Sequence, residues 1–171
     1  MGVTLIAGPP ASGKSTWARA HWRPGDLLLD WDDLLSALSG LAPYERPERV
    51  CRYANAATQA ILTALRRDGR RALPRPDHSW VIRTAPRAEE RLLHAAPLPF
   101  GLGARVVVIA CPADVCHARI DADVSRIPTR AAQHEAVDDW WAQYVLSAAD
   151  ETIDSWTPQG ASISATSSVE V

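Results

Sequence analysis

Three groups of residues in this sequence have types and spacings suited to chemistry on phosphates. The first is Gly8-Pro9-Pro10-Ala11-Ser12-Gly13-Lys14-Ser15, which fits G-x-x-x-x-G-K-[ST] at every fixed position. Gly8 and Gly13 allow a sharp turn in which successive N–H groups face inward as an anion-binding nest. A helix starting at Lys14 would direct its N-terminal dipole at the same point. In such a loop Lys14 reaches the β- and γ-phosphates as a point charge, and the Ser15 hydroxyl ligates Mg²⁺. The pattern predicts that Gly8 to Thr16 bind a nucleoside triphosphate; the bland alternative is a chance match in a glycine turn.

The second group is Asp30-Trp31-Asp32-Asp33, three acids within four positions after a short apolar run. A carboxylate at a strand's carboxyl end can take the proton of an attacking hydroxyl or support a Mg²⁺ ion. Asp32 is the candidate base and Asp30 the candidate metal ligand beside Ser15. The alternative is that Asp32 or Asp33 only caps the helix that follows. The third group is Arg119, Arg126 and Arg130 around Pro128. Guanidinium groups on a hinged segment can close over the charge of a phosphoryl group in transfer, with Arg126 and Arg130 the first choices. Paired with Asp121, Asp123 and Glu135, the same arginines would be ordinary surface charges. Arg83 breaks an apolar strand and faces either the substrate or one of the acids after the second strand. His117 and His134 have no ligand spacing and read as surface residues.

Elements to position these groups are legible. Apolar runs at 3–7, 26–30, 79–84 and 105–110 read as strands, and the stretches between them as helices, which predicts an α/β protein with a mainly parallel sheet. Helices are expected over 14–21, 32–38, 45–67, 87–95, 112–124 and 130–149, with a break at 125–129. Val50, Tyr53, Ala54, Ala57, Ile61, Ala64 and Leu65 would form the inner face of the 45–67 helix. One domain over 1–150 and a C-terminal tail over 151–171 are expected, with an edge strand near 161–165 as an option within the tail.

The chain has 171 residues, 47% hydrophobic and 22% charged, with a net charge of −2. That is ordinary for one globular domain and gives no basic balance for nonspecific nucleic-acid binding. Three cysteines without metal spacing, and no long apolar segment, predict a reduced, cytoplasmic protein with no membrane partner.

Together these residues resemble the P-loop kinases, especially the nucleotide-kinase-like and polynucleotide-kinase-like branch, and small AAA-type ATP-binding proteins of the kind phages encode. Gly8 to Thr16 is similar to Gly-x-Pro-Gly-Ser-Gly-Lys-Ser-Thr, and Trp31-Asp32-Asp33-Leu34 to Arg-Asp-Asp-Tyr, whose first Asp is the general base. Cys111 to Arg119 resembles the strand-to-helix segment before the lid. The resemblance implies a three-layer fold with a five-stranded sheet in the order 2-3-1-4-5, and ATP and Mg²⁺ as cofactors. It implies a phosphotransferase for a nucleoside, nucleotide, nucleic-acid end or small hydroxyl compound, with Lys14, Asp32, Arg126 and Arg130 catalytic. Two positions depart from the pattern. Leu35 stands where an Arg is common, and the third strand ends Ile82-Arg83-Thr84 without an acid. A nucleotide-binding module or slow ATPase that regulates a partner is the competing reading.

Overall fold

A computed structural model describes residues 2–68, 76–95 and 104–154. Its sheet is built on β1 (Gly2–Ala7), whose residues Val3 to Ala7 are all buried, as in a strand covered on both faces. β1 lies between β3 (His78–Ile82) and β4 (Ala104–Ile109); β2 (Leu27–Leu29) and β5 (Asp150–Ile153) form the edges, so the order is the expected 2-3-1-4-5. Every pairing is parallel. Register aligns Ile6 with Ile82 and Val107, and Leu29 with Val81. The carboxyl ends of four strands therefore lie side by side, bringing Gly8, Asp30 and Arg83 to one edge.

Strand alternation divides the core. Leu5 and Ala7 pack on one side with Leu62, Leu65 and Trp140, whereas Ile6 and Val107 pack on the other with Trp17, Cys116 and Ile120. The helices are α1 (Lys14–His21), α2 (Trp31–Ser39), α3 (Glu48–Asp68), α4 (Ala88–Ala95), α5 (Ala113–Ala122) and α6 (Arg130–Gln143). Val124–Thr129, the expected break, is a 3₁₀ segment containing Pro128, started by Asp123 accepting from Ser125 N at 3.0 Å.

Three expectations are corrected. The inner face of α3 is Ala54, Thr58, Leu62 and Leu65, with Tyr53 56% exposed and Ala64 also outside. α6 stops at Gln143, not near 149, because Tyr144 turns extended and stacks on Trp140. The chain it releases returns to the sheet as β5, a strand with no alternating pattern to announce it. Its start at Asp150 straddles the expected domain boundary, and the optional strand near 161–165 falls outside the described residues. Arg91 of α4 fixes this return. Its guanidinium is 1% exposed and donates to the carbonyls of Ala85, Pro86 and Val145 at 3.0, 2.6 and 2.5 Å and to Asp150 at 2.6 Å.

Candidate active site

The loop between β1 and α1 takes its form from two glycines. Gly8 has φ 154°, and a Cβ there would lie 2.6 Å from the Ile109 carbonyl oxygen, so no side chain fits. Gly13 has φ 98° and stands before α1 with no side chain capping the helix. The first amides of α1 are thus left facing the loop, as an anion site requires. Gly8 N donates to Thr84 O at 3.2 Å, which ties the loop to the end of β3. Ser12 is fully buried and its hydroxyl has no hydrogen-bond partner among the described residues.

The Lys14 ammonium donates to the carbonyls of Gly8 and Pro9 at 2.9 and 2.5 Å. Burial lowers its pKa to about 8, with Asp30 opposing the shift. The Ser15 hydroxyl donates to Asp30 Oδ2 at 2.5 Å, so the two residues proposed from sequence for a metal share one point. The other Asp30 oxygen accepts from Asp32 N at 3.1 Å, which makes Asp30 the N-cap of α2. The capping role considered for Asp32 or Asp33 therefore falls on Asp30. Asp33 pairs instead with Arg19 on the surface.

Asp32 is left facing a cavity of about 840 Å³ lined also by Lys14, Ser15 and Asp30. Burial raises its carboxyl pKa, and Arg46, 3.3 Å away, is the strongest charge acting in the other direction. Arg126 also lines the cavity, 13% exposed, held by Asp123 at 3.0 Å, by Gln133 and by the Tyr44 hydroxyl at 2.5 Å. Its guanidinium also sits 3.9 Å from the centre of the Tyr44 ring. Arg119 lines the cavity, donating to Ala11 O at 3.1 Å. Arg130 turns away from it, donating to Asp121 O at 3.2 Å. Arg83 reaches the cavity and forms no ion pair with a described residue; burial lowers its pKa, with Asp30 the charge that opposes this.

Sequence reasoning missed Tyr44, Arg46 and Asn55. They reach the cavity from the α2–α3 connection and from α3, where Trp31 Nε1 donates to Asn55 Oδ1 at 2.8 Å and Arg46 stands over the Trp31 ring. Tyr44, at φ 70°, is one of only three non-glycine residues with positive φ among those described, a backbone feature that no side-chain pattern signals.

The observed donor set fits ATP and Mg²⁺. The loop leaves its helix amides open, Gly8 clears the space a Cβ would fill, and Ser15 and Asp30 present hard oxygen donors at one point. Among the described residues no helix is long and apolar enough to cross a membrane.

Residues 3–145 match the family model described as an AAA domain. Similar solved structures include the Pnkp1/Rnl/Hen1 RNA repair complex (TM-score 0.52, 15% identity) and a Chloroflexus aurantiacus protein (0.54, 19%). Shikimate kinase from Acinetobacter baumannii in complex with shikimate is also similar (0.50, 16%). The alignments cover 81%, 90% and 91% of this chain, and 45%, 84% and 84% of those chains, so the chain spans less than half of the matched repair-complex chain. At these identities the likeness is one of fold. No curated protein matches the chain in sequence.

Proposed function

The chain belongs to the AAA domain family and has a P-loop kinase-like fold, and on that premise we propose that it is an ATP-dependent phosphotransferase acting on a hydroxyl-bearing acceptor. The observation that carries this reading is Asp32, a half-buried carboxyl with a raised pKa that shares one cavity with Lys14, Ser15 and Asp30. A kinase needs a base near the acceptor and phosphate ligands opposite it, and the cavity has room for both.

Lys14 and the open amides of α1 hold the phosphate chain, with Gly8 to Thr16 as its cradle. Ser15 and Asp30 would hold Mg²⁺, which when bound neutralises charge on the β- and γ-phosphates. Asp32 accepts the proton from the acceptor hydroxyl as its oxygen bonds to the γ-phosphorus and the bond to the β-γ bridging oxygen breaks. Arg126, already on the cavity wall, stabilises the charge spread over the transferred group. Arg130 can join it only by leaving Asp121. Positioning and electrostatics supply nearly all of the catalysis, since the protein forms no covalent intermediate.

γ-labelled ATP offered with nucleosides, nucleotides, nucleic-acid 5′ ends and small alcohols tests the reading. It predicts label on one acceptor class and its loss in Asp32→Asn. Label appearing only as free phosphate, equally in wild type and Asp32→Asn, contradicts it. That outcome would favour the second reading, a nucleotide-binding module or slow ATPase that regulates a partner, which is suggested by Arg83 standing where β3 could have carried an acid.

A further inference from the structure

The facing sides of α5 and α6 hold a cluster that the phosphate cavity does not use. His117 Nε2 lies 2.9 Å from Asp138 Oδ1, and His134 Nε2 lies 3.0 Å from Asp121 Oδ1. Between the rings the two Nδ1 atoms face each other within hydrogen-bond distance. The ring planes are 21° apart and the centroids 4.6 Å apart, so the imidazoles meet edge to edge through these nitrogens. A carboxylate only accepts, so each Nε2 carries the ring proton. Where neither ring holds a second proton, each aims an Nδ1 lone pair at the other. Two facing lone pairs repel, and a cation between them, either a proton or a metal ion, removes that repulsion.

We propose that His117 and His134 are the ligands of a transition-metal site that takes Cu²⁺, Zn²⁺ or Ni²⁺ through their Nδ1 atoms. Imidazole nitrogen suits these ions, whereas Mg²⁺ requires oxygen, so the site is chemically separate from Ser15 and Asp30. Asp138 and Asp121 occupy the outer positions that orient metal-binding histidines and raise their basicity. The histidine side chains are 27% and 28% exposed, which gives the ion a path from solvent and room for water to complete its coordination. To admit it, the Nδ1 atoms part to about 3.3 Å, as set by two bonds of ~2.0–2.1 Å at a tetrahedral angle. Among the described residues no three His, Cys, Asp or Glu side chains are placed to hold a metal, so the ion has two protein ligands and exchanges with solvent.

The two histidines lie 17 positions apart and bracket Val124–Thr129, the segment that carries Arg126. A metal joining them closes the α5–α6 hairpin and restricts that segment. The ion would thus act on the cavity from outside it, and the site itself does not depend on the kinase reading.

Copper titration of the full chain, followed by electron paramagnetic resonance, reads the number of nitrogens bound. One equivalent of Cu²⁺ coupled to two nitrogens is expected in the wild type. His117→Gln and His134→Gln should each lower affinity at least about tenfold, and Asp138→Asn by about 10–100-fold, with unchanged far-UV circular dichroism. Two outcomes overturn the proposal: a copper signal unchanged in both histidine variants, or no copper uptake by wild type with one proton shared between the Nδ1 atoms in ¹⁵N NMR. The nitrogen count comes from wild type, so it stands even if a variant fails to fold.

Discussion

Asp30 holds two structural roles on two oxygens, and substitution can separate them. Asp30→Ala removes the cap on Asp32 N and the partner of the Ser15 hydroxyl, at 3.1 and 2.5 Å. Losing an N-cap costs about 0.5–2 kcal/mol. Losing a hydrogen bond to a buried carboxylate costs about 1.5–3 kcal/mol. The alanine variant should therefore be less stable by about 2–5 kcal/mol, read as a lower urea midpoint with an unchanged slope. Asp30→Asn keeps an acceptor for Asp32 N, and its amide can donate to a Ser15 hydroxyl turned to accept. Asn caps helices as well as Asp does, so this variant should lose less than about 1 kcal/mol. It does lose the negative charge beside Ser15. Calorimetric ATP titrations should then show the gain in affinity that Mg²⁺ gives the wild type falling sharply in Asp30→Asn, with metal-free binding preserved. An asparagine variant as unstable as alanine, or one that keeps the full Mg²⁺ gain, would refute the division of labour.

The remaining predictions concern charge. Burial brings Lys14 from 10.5 to about 8, so between these values the unfolded chain binds more protons than the folded one, and this residue makes stability rise with pH. In the same range nucleotide affinity should fall as the amine loses its charge, and both trends should vanish in Lys14→Met, as pH-resolved melting and titration will show. Asp32 must be ionised to act as a base, and its pKa is raised, so kcat/KM should fall on the acid side at a higher pH than an unperturbed aspartate would give. Removing the Arg46 charge should raise that pKa further, so Arg46→Ala should move the acid limb to still higher pH; a shift to lower pH contradicts the assignment. Asp150→Ala leaves the buried Arg91 charge without its carboxylate and should cost about 3–5 kcal/mol. A drop in melting temperature of roughly 6–20 °C follows, at ~2–4 °C per kcal/mol for a domain of this size; a drop below 2 °C would mean that the guanidinium is satisfied by carbonyls alone.

The legible parts of this protein are those written in local pattern. Gly8 and Gly13 announce their turns because no other residue adopts them cheaply there, and the apolar strands 3–7 and 105–110 announce a covered sheet. Asp30 and Ser15 could be paired from sequence because both belong at the carboxyl edge of parallel strands. What stayed hidden depends on distant partners. β5 reads Asp-Glu-Thr-Ile, without alternation, and is held as a strand by its parallel pairing with β4 and by the ion pair of Asp150 with Arg91 of α4. Tyr44 and Arg46 lie in a connection whose path is set by packing between α2 and α3. His117 and His134 look solitary in sequence, and only the antiparallel return of α6 along α5 brings their nitrogens together.

The central claim is that Asp32 takes the acceptor's proton while the loop from Gly8 to Thr16 holds the donor. Single-turnover transfer from γ-labelled ATP, measured for wild type and Asp32→Asn with the acceptor class that takes label, tests it directly. General-base catalysis contributes about 10²–10⁴-fold, so Asp32→Asn should slow transfer by at least about a hundredfold. ATP affinity should stay within a few-fold of wild type. An asparagine variant that transfers label at the wild-type rate would contradict the account.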